Sequence, residues 1–383
     1  MANHLAAICR SKGLPFEVES RPTPKPGPGD LLIAVKSVAL NPADVLIQDT
    51  GLLVPSDSYP TVIGFDMSGL VLEVGDGVPL DTFVPSKTRV AAYTASYWRS
   101  YNPDYGTFQE KCLVPWQHCA VMPDGVSWNE AATLPVAVQT ALSAWALTGI
   151  SFPPDEADGN IAAEKSNARE DSKPEEREAL LIWGASSSVG TMGVQAARLL
   201  RDHPHSLFSA VYATAGPTNM NYVSSLGADR VFDYRDPDVV KKILSAAREN
   251  GLVIRHCFLA MGDLAPCQAI LASFLAADDN SKGGKAAARI ASAPMLPTDG
   301  TQAAIDDIET VFVFPPVVEE ERLRQFESWM GKRLTGYLAK GAIRPSPEPK
   351  VVGKGRGLDA IQHGLDILRG GVSCTKLVVE IHE

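Results

Sequence analysis

The stretch from Ala179 to Leu200, ALLIWGASSSVGTMGVQAARLL, constrains the fold more than any other part of the chain. Its apolar run from Leu180 to Trp183 has no polar alternation, which predicts a strand buried on both faces of a parallel sheet. A turn of small residues follows Gly184, and helical apolar spacing begins at Val189. A strand, a tight turn and a helix in this order present free backbone N–H groups and a helix dipole to a phosphate.

The turn departs from the usual glycine-rich fingerprint of dinucleotide-binding proteins. Its glycines are Gly184, Gly190 and Gly193, and three serines replace the middle glycine. Small hydroxyl side chains still allow a pyrophosphate to approach the backbone and can donate hydrogen bonds to it. The alternative is an ordinary strand–turn–helix in which a serine caps the helix. The residues predicted to hold the pyrophosphate are Ser186, Ser187, Ser188 and Val189.

Composition limits the class of protein. A chain of 383 residues is too long for one ordinary core and favours two domains. The net charge of −10 and the pI near 5.3 argue against nucleic acid and against an anionic membrane surface as partners. The sequence has no apolar run near the roughly 20 residues that span a bilayer and no secretory signal, so we expect a cytoplasmic protein. The six cysteines are irregularly spaced, which favours reduced thiols.

Residues 1 to about 130 are predicted to be rich in strands. Strand-like runs cover Leu31–Val35, Val38–Leu40 and Val71–Val74, and frequent turn signals between them suggest a partly closed barrel. A helical stretch over 128–150, interrupted at Leu134–Pro135 and resuming at Val138, marks the passage into the second domain. Residues 154–178 are strongly polar and nearly free of large apolar side chains, which predicts a solvated surface insertion.

Strands and helices alternate after the central stretch. The sequence predicts three strands between helical segments, at Leu207–Thr214, Arg230–Phe232 and Val253–Phe258. This alternation predicts an α/β fold with a doubly wound parallel sheet. Glu319–Lys340 has the periodicity of an amphipathic helix, and Lys376–Ile381 reads as a strand that returns to the first domain. We therefore predict a β-rich domain at 1–130 and 341–383 and a nucleotide-binding domain at 131–340.

Four motifs, in order along the chain, carry a family resemblance. They are Asn41-Pro42-Ala43-Asp44, Gly64–Gly69 (GFDMSG), Gly106–Glu110 (GTFQE) and the turn from Gly184 to Gly193. Together they resemble the medium-chain dehydrogenase/reductase superfamily, in its zinc-free quinone-oxidoreductase branch. Within this branch, the chain most resembles fungal trans-acting enoyl reductases, which serve polyketide synthases and polyketide–peptide hybrid synthases. This closer resemblance is carried by the turn, by Val231–Arg235 and by Lys376–Val379. The resemblance implies a GroES-like barrel domain beside a Rossmann domain.

The chain departs from the zinc-dependent relatives at the positions where they carry metal ligands. Those relatives place a Cys near position 44 and Gly-His-Glu at 64–66, whereas this chain has Asp44 and Gly64-Phe65-Asp66. Without Cys or His at these positions we expect no zinc. Reduction of a C=C bond conjugated to a carbonyl needs only a hydride and a proton, so this chemistry does not require the metal.

The expected cofactor is NADPH. The second strand of the predicted sheet ends at Ala213–Gly216 without the acidic residue that grips the ribose of NAD. No Arg or Lys lies in the following loop, where Thr218, Asn219 and Tyr234 could donate to a 2′-phosphate. Thr140 stands where relatives contact the nicotinamide end of the cofactor. The alternative is that its hydroxyl bonds only to its own helix backbone. By resemblance, the further residues expected to contact the cofactor are Ala43, Asp44, Val45, Leu46, Thr140, Gly216, Pro217, Cys374 and Thr375.

The substrate pocket is expected between the domains, from the helix Ala141–Leu147 and the loop Ser292–Thr298. The sequence assigns no catalytic proton donor, because Leu46 stands where acyl-chain reductases are expected to carry a Lys. Tyr93, Tyr97 and Tyr101 lie in a candidate substrate segment, but aromatic residues there are more typical of packing, as are the lone histidines His118 and His256. The predicted substrate contacts are Ala141, Leu142, Trp145, Leu147, Pro294 and Met295.

Three functions are compatible with the sequence. The first is an NADPH-dependent enoyl reductase that acts in trans on an acyl chain held by a polyketide synthase. The second is a free-standing quinone or enone reductase with small diffusible substrates. The third is a nucleotide-binding scaffold protein without turnover. A monomer and a homodimer are both compatible with the sequence.

Overall fold

The computed structural model describes residues 2–150, 152, 177–204, 206–275, 288–295 and 305–381. The chain divides into two units, Met1–Gln139 with Pro315–Glu383 and Thr140–Phe314. Each unit has its own cluster of buried apolar side chains. The polar insertion predicted at 154–178 lies outside the described residues up to position 176.

The described residues form fifteen strands. In chain order they are β1 (Asn3–Ile8), β2 (Glu17–Pro22), β3 (Asp30–Ala39), β4 (Asp66–Val74), β5 (Arg89–Tyr93), β6 (Lys111–Pro115), β7 (Cys119–Val121), β8 (Arg177–Trp183), β9 (Phe208–Ala215), β10 (Arg230–Asp233), β11 (Leu252–Leu259), β12 (Ala288–Ser292), β13 (Ile308–Phe312), β14 (Pro349–Val351) and β15 (Lys376–Glu380).

The helices alternate with these strands. In chain order they are α1 (Pro42–Thr50), α2 (Trp128–Ala132), α3 (Pro135–Leu147), α4 (Ser188–Arg201), α5 (Met220–Ser225), α6 (Val239–Glu249), α7 (Leu264–Leu275), α8 (Glu319–Phe326), α9 (Thr335–Ala339) and α10 (Ala360–Arg369). The stretch Glu327–Leu334 joins α8 to α9 as a π-helix. Short 3-10 turns cover Ser56–Ser58, Ser96–Arg99, Pro103–Tyr105, Trp116–His118, Pro217–Asn219 and Gly357–Asp359.

The first unit contains a seven-stranded sheet. Six of its strands follow the order β14-β15-β3-β4-β5-β7, and β6 pairs with the other half of β3. Strand β15 runs antiparallel to β3, which confirms that the chain returns to this unit at its end. One cross-strand row, Val378–Ala39–Asp66–Tyr93, places four side chains on the same face of the sheet.

The second unit is a doubly wound parallel sheet in the order β10-β9-β8-β11-β12-β13. Every neighbouring pair in this sheet is parallel. The strand order reverses at β8, the strand predicted from the central stretch, so the turn after β8 lies at the switch point where such folds bind ligands. The structure therefore confirms the predicted α/β class and both domain types.

The unit boundaries differ from those predicted at 130/131 and 340/341. The helical segment from 319 to 339 belongs to the first unit rather than to the nucleotide-binding unit. Phe326 stacks on the buried ring of His118 at 4.0 Å, and the Thr335 hydroxyl donates to the Val121 carbonyl at 2.8 Å. Amphipathic periodicity predicted the helix correctly, but it does not say which core the apolar face will cover.

Helix α3 begins at Pro135 rather than at Val138. A proline fits the first turn of a helix, where its missing N–H has no partner to lose. The predicted runs Leu31–Val35 and Val38–Leu40 form one strand, β3. The strand predicted at Val71–Val74 begins five residues earlier, at Asp66.

Candidate functional site

A cluster of buried polar side chains lies in the first unit, where α1 begins. Asn41, directly before the helix, is 3% exposed, and Asp44, in its first turn, is completely buried. Asp44 Oδ2 accepts a hydrogen bond from the Asn41 backbone N–H at 2.7 Å. Pro42 fixes the backbone for the first helical turn. The Asn-Pro-x-Asp sequence thus produces a helix start that turns a carboxyl inward.

Two further residues complete this polar cluster. Lys376, at the start of β15, contacts Asp66 Oδ2 at 3.0 Å and the Asn41 side-chain oxygen at 2.5 Å. Asn41 also donates from Nδ2 to Asp66 Oδ2 at 3.0 Å. Asp66 and Lys376 are 0% and 3% exposed. The cluster therefore joins residues more than 300 positions apart, and it holds two carboxyls and one ammonium.

The two carboxyls have different surroundings. Burial raises the pKa of Asp44 to about 7, with a smaller contribution in the same direction from the negative charge of Asp66. Asp66, in contrast, receives a third donor, the backbone N–H of Val136 at 2.7 Å from Oδ1. Val136 lies in the first turn of α3, where free N–H groups and the helix dipole favour an anion. Asp66 is consequently the better-stabilised anion of the pair.

Tyrosines surround the same cluster. Tyr93 lies opposite Asp66 across the β4–β5 ladder, on the same sheet face. Burial, followed by the charge of Asp66, raises the pKa of Tyr93. Burial, followed by the charge of Asp44, raises the pKa of Tyr101. Both phenols therefore stay protonated at neutral pH.

The second unit carries the predicted nucleotide turn between β8 and α4. The Gly184 N–H donates to Thr214 Oγ1 at 2.9 Å. Gly184 has a positive φ of 76°, and a Cβ at this position would lie 2.4 Å from the Met261 carbonyl oxygen. The backbone of this turn therefore excludes any residue larger than glycine at 184.

Ser187 is the N-cap of α4. Its hydroxyl donates to the Gly184 carbonyl at 2.9 Å and accepts from the Gly190 N–H at 3.1 Å. The cap satisfies one N–H, while the N–H groups of Ser188 and Val189 lie in the first turn, where a helix offers no internal acceptor. Helix capping and a pyrophosphate site are thus compatible, and Ser186 to Val189 are half-buried at this turn.

A cation that the sequence prediction missed lies beside the end of β9. Gly216 is buried, and a Cβ on it would lie 3.4 Å from Arg235 Nη2. The Arg235 guanidinium stacks over the Tyr234 ring at 5.4 Å. The register Asp233–Ala215 between β10 and β9 brings these segments together. Pro217 and Thr218 are exposed in the same loop, and Asn219 is half-buried.

The other predicted cofactor and substrate residues fall into three groups by burial. Ala141, Leu142 and Trp145 are buried, and Trp145 packs edge-to-face with Phe258 at 6.0 Å. The half-buried residues are Val45, Thr140, Leu147, Pro294, Cys374 and Thr375, and the exposed residues are Ala43, Leu46 and Met295. Cys374 has a positive φ of 47°, a strained conformation for a non-glycine residue. Residues 296–298 of the predicted substrate loop lie outside the described part.

Comparisons with known proteins identify the family. The alcohol dehydrogenase GroES-like domain matches residues 27–124. A trans-enoyl reductase of Aspergillus flavipes (tndF) is 38% identical over 381 residues, 99% of each chain. The chain belongs to the medium-chain dehydrogenase/reductase superfamily. This is a superfamily of oxidoreductases that use nicotinamide nucleotides, as the resemblance of the four motifs predicted.

Two further matches agree with this assignment. A trans-enoyl reductase of Aspergillus terreus (tazE) is 38% identical over 325 residues, covering 84% of this chain and 96% of that protein. The crystal structure of an alcohol dehydrogenase superfamily protein from Novosphingobium aromaticivorans superposes with a TM-score of 0.73 over 99% of this chain and 100% of that one. At 18% identity, this structural likeness shows the fold alone.

The described residues offer no metal-ligand cluster and no membrane-spanning helix. They contain no group of three or more His, Cys, Asp or Glu side chains arranged to hold a metal ion. No helix among them is both long and apolar enough to cross a bilayer. Asn41, Asp66 and Lys376 form the polar centre of the first unit, and none of them was predicted as a site residue.

Proposed function

We propose that this protein is an NADPH-dependent enoyl reductase that reduces the conjugated C=C bond of an acyl chain bound to a polyketide synthase, in trans, in fungal secondary metabolism. The observation that carries the proposal is the 38% identity with a protein named trans-enoyl reductase over 99% of both chains. A cytoplasmic location fits this role. The protein would act as a monomer or a homodimer.

The turn after β8 fits a dinucleotide. Ser186 to Val189 and the start of α4 would hold the pyrophosphate, because the N–H groups of Ser188 and Val189 lie in the first helical turn and have no acceptor within the helix. When bound, the nicotinamide supplies a hydride. The N-P-x-D segment and the residues before β15, which the Asn41–Lys376 contact brings together, would hold the nicotinamide end.

Preference for NADPH over NADH is supported by charge at the end of β9. The described stretch 213–219 carries no Asp or Glu to repel a 2′-phosphate. Asp233 of β10 pairs with Ala215, and Arg235 provides a cation beside Gly216. We expect Arg235→Ala to weaken NADPH binding by roughly 10-fold or more, because a charge-assisted hydrogen bond contributes about 1.5–3 kcal/mol. NADH affinity should be unchanged, since NADH lacks this phosphate.

Calorimetric titration of both nucleotides checks this preference. Lys241→Ala is the matched control, because Lys241 is an exposed cation on the next helix whose partner is Asp238. Equal loss of NADPH affinity in the two variants would indicate a general charge effect and contradict the role of Arg235. Gly216 has an ordinary backbone φ of −68°, so aspartate can replace it without backbone strain. Gly216→Asp should shift preference toward NADH, because a carboxylate there repels a 2′-phosphate and accepts from the ribose hydroxyls.

Zinc independence is part of the proposal. The Lys376 ammonium already provides the positive charge beside Asp66, and oxygen ligands alone are a poor zinc site. Elemental analysis should find no stoichiometric zinc, and chelators should leave turnover unchanged. Zinc that is removed together with activity would contradict the proposal.

The decisive experiment is product analysis of a candidate synthase with and without this protein. We expect a chain with one more saturated bond when the protein and NADPH are both present. Oxidation of NADPH by simple quinones without any effect on the synthase product would favour a free-standing quinone reductase. Nucleotide binding without turnover on either class of acceptor would favour a scaffold protein.

A further inference from the structure

The buried cluster Asn41–Asp44–Asp66–Lys376 contains one more acid than base. Lys376 provides one positive charge, and both carboxyls are completely buried. If both were ionised, the cluster would hold an uncompensated negative charge away from water, which is strongly unfavourable. One of the two carboxyls is therefore expected to keep its proton up to about neutral pH.

The hydrogen bonds distinguish the ionised carboxyl from the neutral one. Asp66 accepts from three donors, the Val136 N–H, the Asn41 amide and the Lys376 ammonium. Asp44 accepts from one, the Asn41 N–H, and within the described part of the chain its Oδ1 has no hydrogen-bond partner. A buried carboxylate needs several donors, whereas a carboxylic acid needs fewer and carries a proton to donate.

We propose that Asp44 is held as a neutral carboxylic acid by the Asp66–Lys376 pair and stores the proton that the reduction consumes. This role rests on the proposed enoyl reduction. Reduction adds a hydride to the β-carbon of the enoyl group and a proton to the α-carbon. The stored proton leaves Asp44 Oδ1, Asp44 becomes a carboxylate, and solvent returns a proton after the product leaves.

Asp44 acts as a positioning residue, because its complete burial keeps it from direct contact with substrate. The titratable groups that interact with it are Asp66, Lys376, Tyr93 and Tyr101. Both phenols remain protonated, so each can accept a proton and release its own. Tyr101 Oη is also buried and lacks a partner among the described residues. Because neither Asp44 Oδ1 nor Tyr101 Oη has a hydrogen-bond partner among the described residues, a phenol must come within hydrogen-bond distance of Asp44 before it takes the stored proton.

Infrared spectroscopy of the full chain without nucleotide tests the neutral state directly. Below pH 7 we expect a carbonyl stretch from a buried carboxylic acid, and this band should be absent in Asp44→Asn. The matched control is Asp49→Asn on the same helix, because Asp49 is exposed and paired with Arg369. The control should retain the band, and absence of the band from the parent protein would overturn the proposal.

If Asp44→Asn does not fold, a pH titration of the infrared band of the parent protein still tests the assignment. Its carbonyl band should disappear as the pH rises through about 7, where Asp44 loses its proton. A band that persists unchanged to high pH, or one that remains in a folded Asp44→Asn variant, would belong to another group and would contradict the assignment.

The storage role is tested by single-turnover reduction of a short enoyl thioester by NADPH. At saturating NADPH, the parent rate should fall above about pH 7, and Asp44→Asn should be slower by roughly 10²-fold or more and should lack this pH limb. An unchanged rate and pH profile in Asp44→Asn would overturn the storage role. A parent protein that shows the band but reduces no enoyl thioester would refute the proposed function and the storage role, while the neutral Asp44 would stand.

Discussion

At the scale of single residues, Lys376 is the cation that pairs with the buried Asp66, and its charge also opposes the rise that burial causes in the pKa of Asp44. We expect Lys376→Met to lower the free energy of unfolding by about 3–5 kcal/mol, because removing one partner leaves a buried charge uncompensated. Urea unfolding measures the loss. The double variant with Asp66→Asn should recover part of it, since the stranded charge is then gone.

The control for this change is Lys350→Met on the neighbouring strand β14, where the side chain is exposed. We expect it to change stability by no more than about 0.5 kcal/mol. Similar losses in the two lysine variants would show that the buried ion pair contributes nothing particular to this fold.

Asp44 predicts an unusual pH dependence of stability. Its pKa is about 7 in the folded state and about 3.9 in an unfolded chain, so between these values the folded state binds the extra proton. Stability therefore falls as the pH rises from about 4 to 7, by roughly 1.4 kcal/mol for each pH unit, and this contribution is constant above pH 7. Asp44→Asn removes it.

The measurement is the difference in unfolding free energy between Asp44→Asn and the parent protein from pH 4 to 8. The variant should gain relative to the parent up to about pH 7, and the difference should then level off. Stability curves that run parallel over this range would mean that Asp44 titrates normally.

At the scale of elements, the strand–turn–helix at Ala179–Leu200 was predictable because a buried strand, small turn residues and helical periodicity all lie in one local stretch. For Ser187, the sequence left two roles open, a helix cap and a phosphate contact. Its hydroxyl caps α4, which the sequence allowed as an alternative to a phosphate contact. The cation at Arg235 was missed because it lies just after the next strand, β10, and only the β9–β10 register places it beside Gly216.

The turn yields a direct test. Ser187→Leu should weaken NADPH binding by several kcal/mol, because a large side chain at the N-cap removes the cap and fills the space in front of the first helical N–H groups. Ser187→Gly should be much milder, since glycine is a tolerable N-cap that costs only a few tenths of a kcal/mol. Titration with NADPH and circular dichroism measure affinity and folding. Parent-like affinity in a folded Ser187→Leu protein would place the pyrophosphate elsewhere.

Helix α8 illustrates what periodicity cannot decide. Phe326, at its end, is completely buried against His118, whose pKa is lowered to about 3 by burial and then by the charge of Arg322. Phe326→Ala should destabilise the first unit by about 3–5 kcal/mol, the usual cost of emptying a buried aromatic site. The exposed Val317→Ala is the control and should cause almost no loss in the same thermal or urea unfolding measurement.

At the scale of the whole molecule, the sequence was sufficient to predict the fold class and the family. Motif order and βαβ alternation can be recognised along the chain without knowing which residues contact each other. The polar cluster was not predictable as a set. Asn41, Asp66 and Lys376 lie in three separate elements, and only the pairing of β15 with β3 and of β3 with β4 brings them together. Buried charges of this kind carry no periodic signal in the sequence.

The division of the chain into units gives the last prediction. A fragment of residues 140–314 contains the complete six-stranded sheet and its own apolar core, so we expect it to fold alone and bind NADPH. A longer fragment of residues 131–340, the domain predicted from sequence, adds the helices that pack on the first unit. It would expose Phe326, Met330 and Leu334, all buried in the full chain.

We therefore expect the longer fragment to self-associate, because an unpaired apolar helix face of this kind promotes aggregation. Size-exclusion chromatography and nucleotide titration of the two fragments make the comparison, with the full chain as reference. A soluble, nucleotide-binding 131–340 fragment beside an insoluble 140–314 fragment would show that the helices stabilise the nucleotide-binding unit, and that the boundary at Phe314–Pro315 is misplaced.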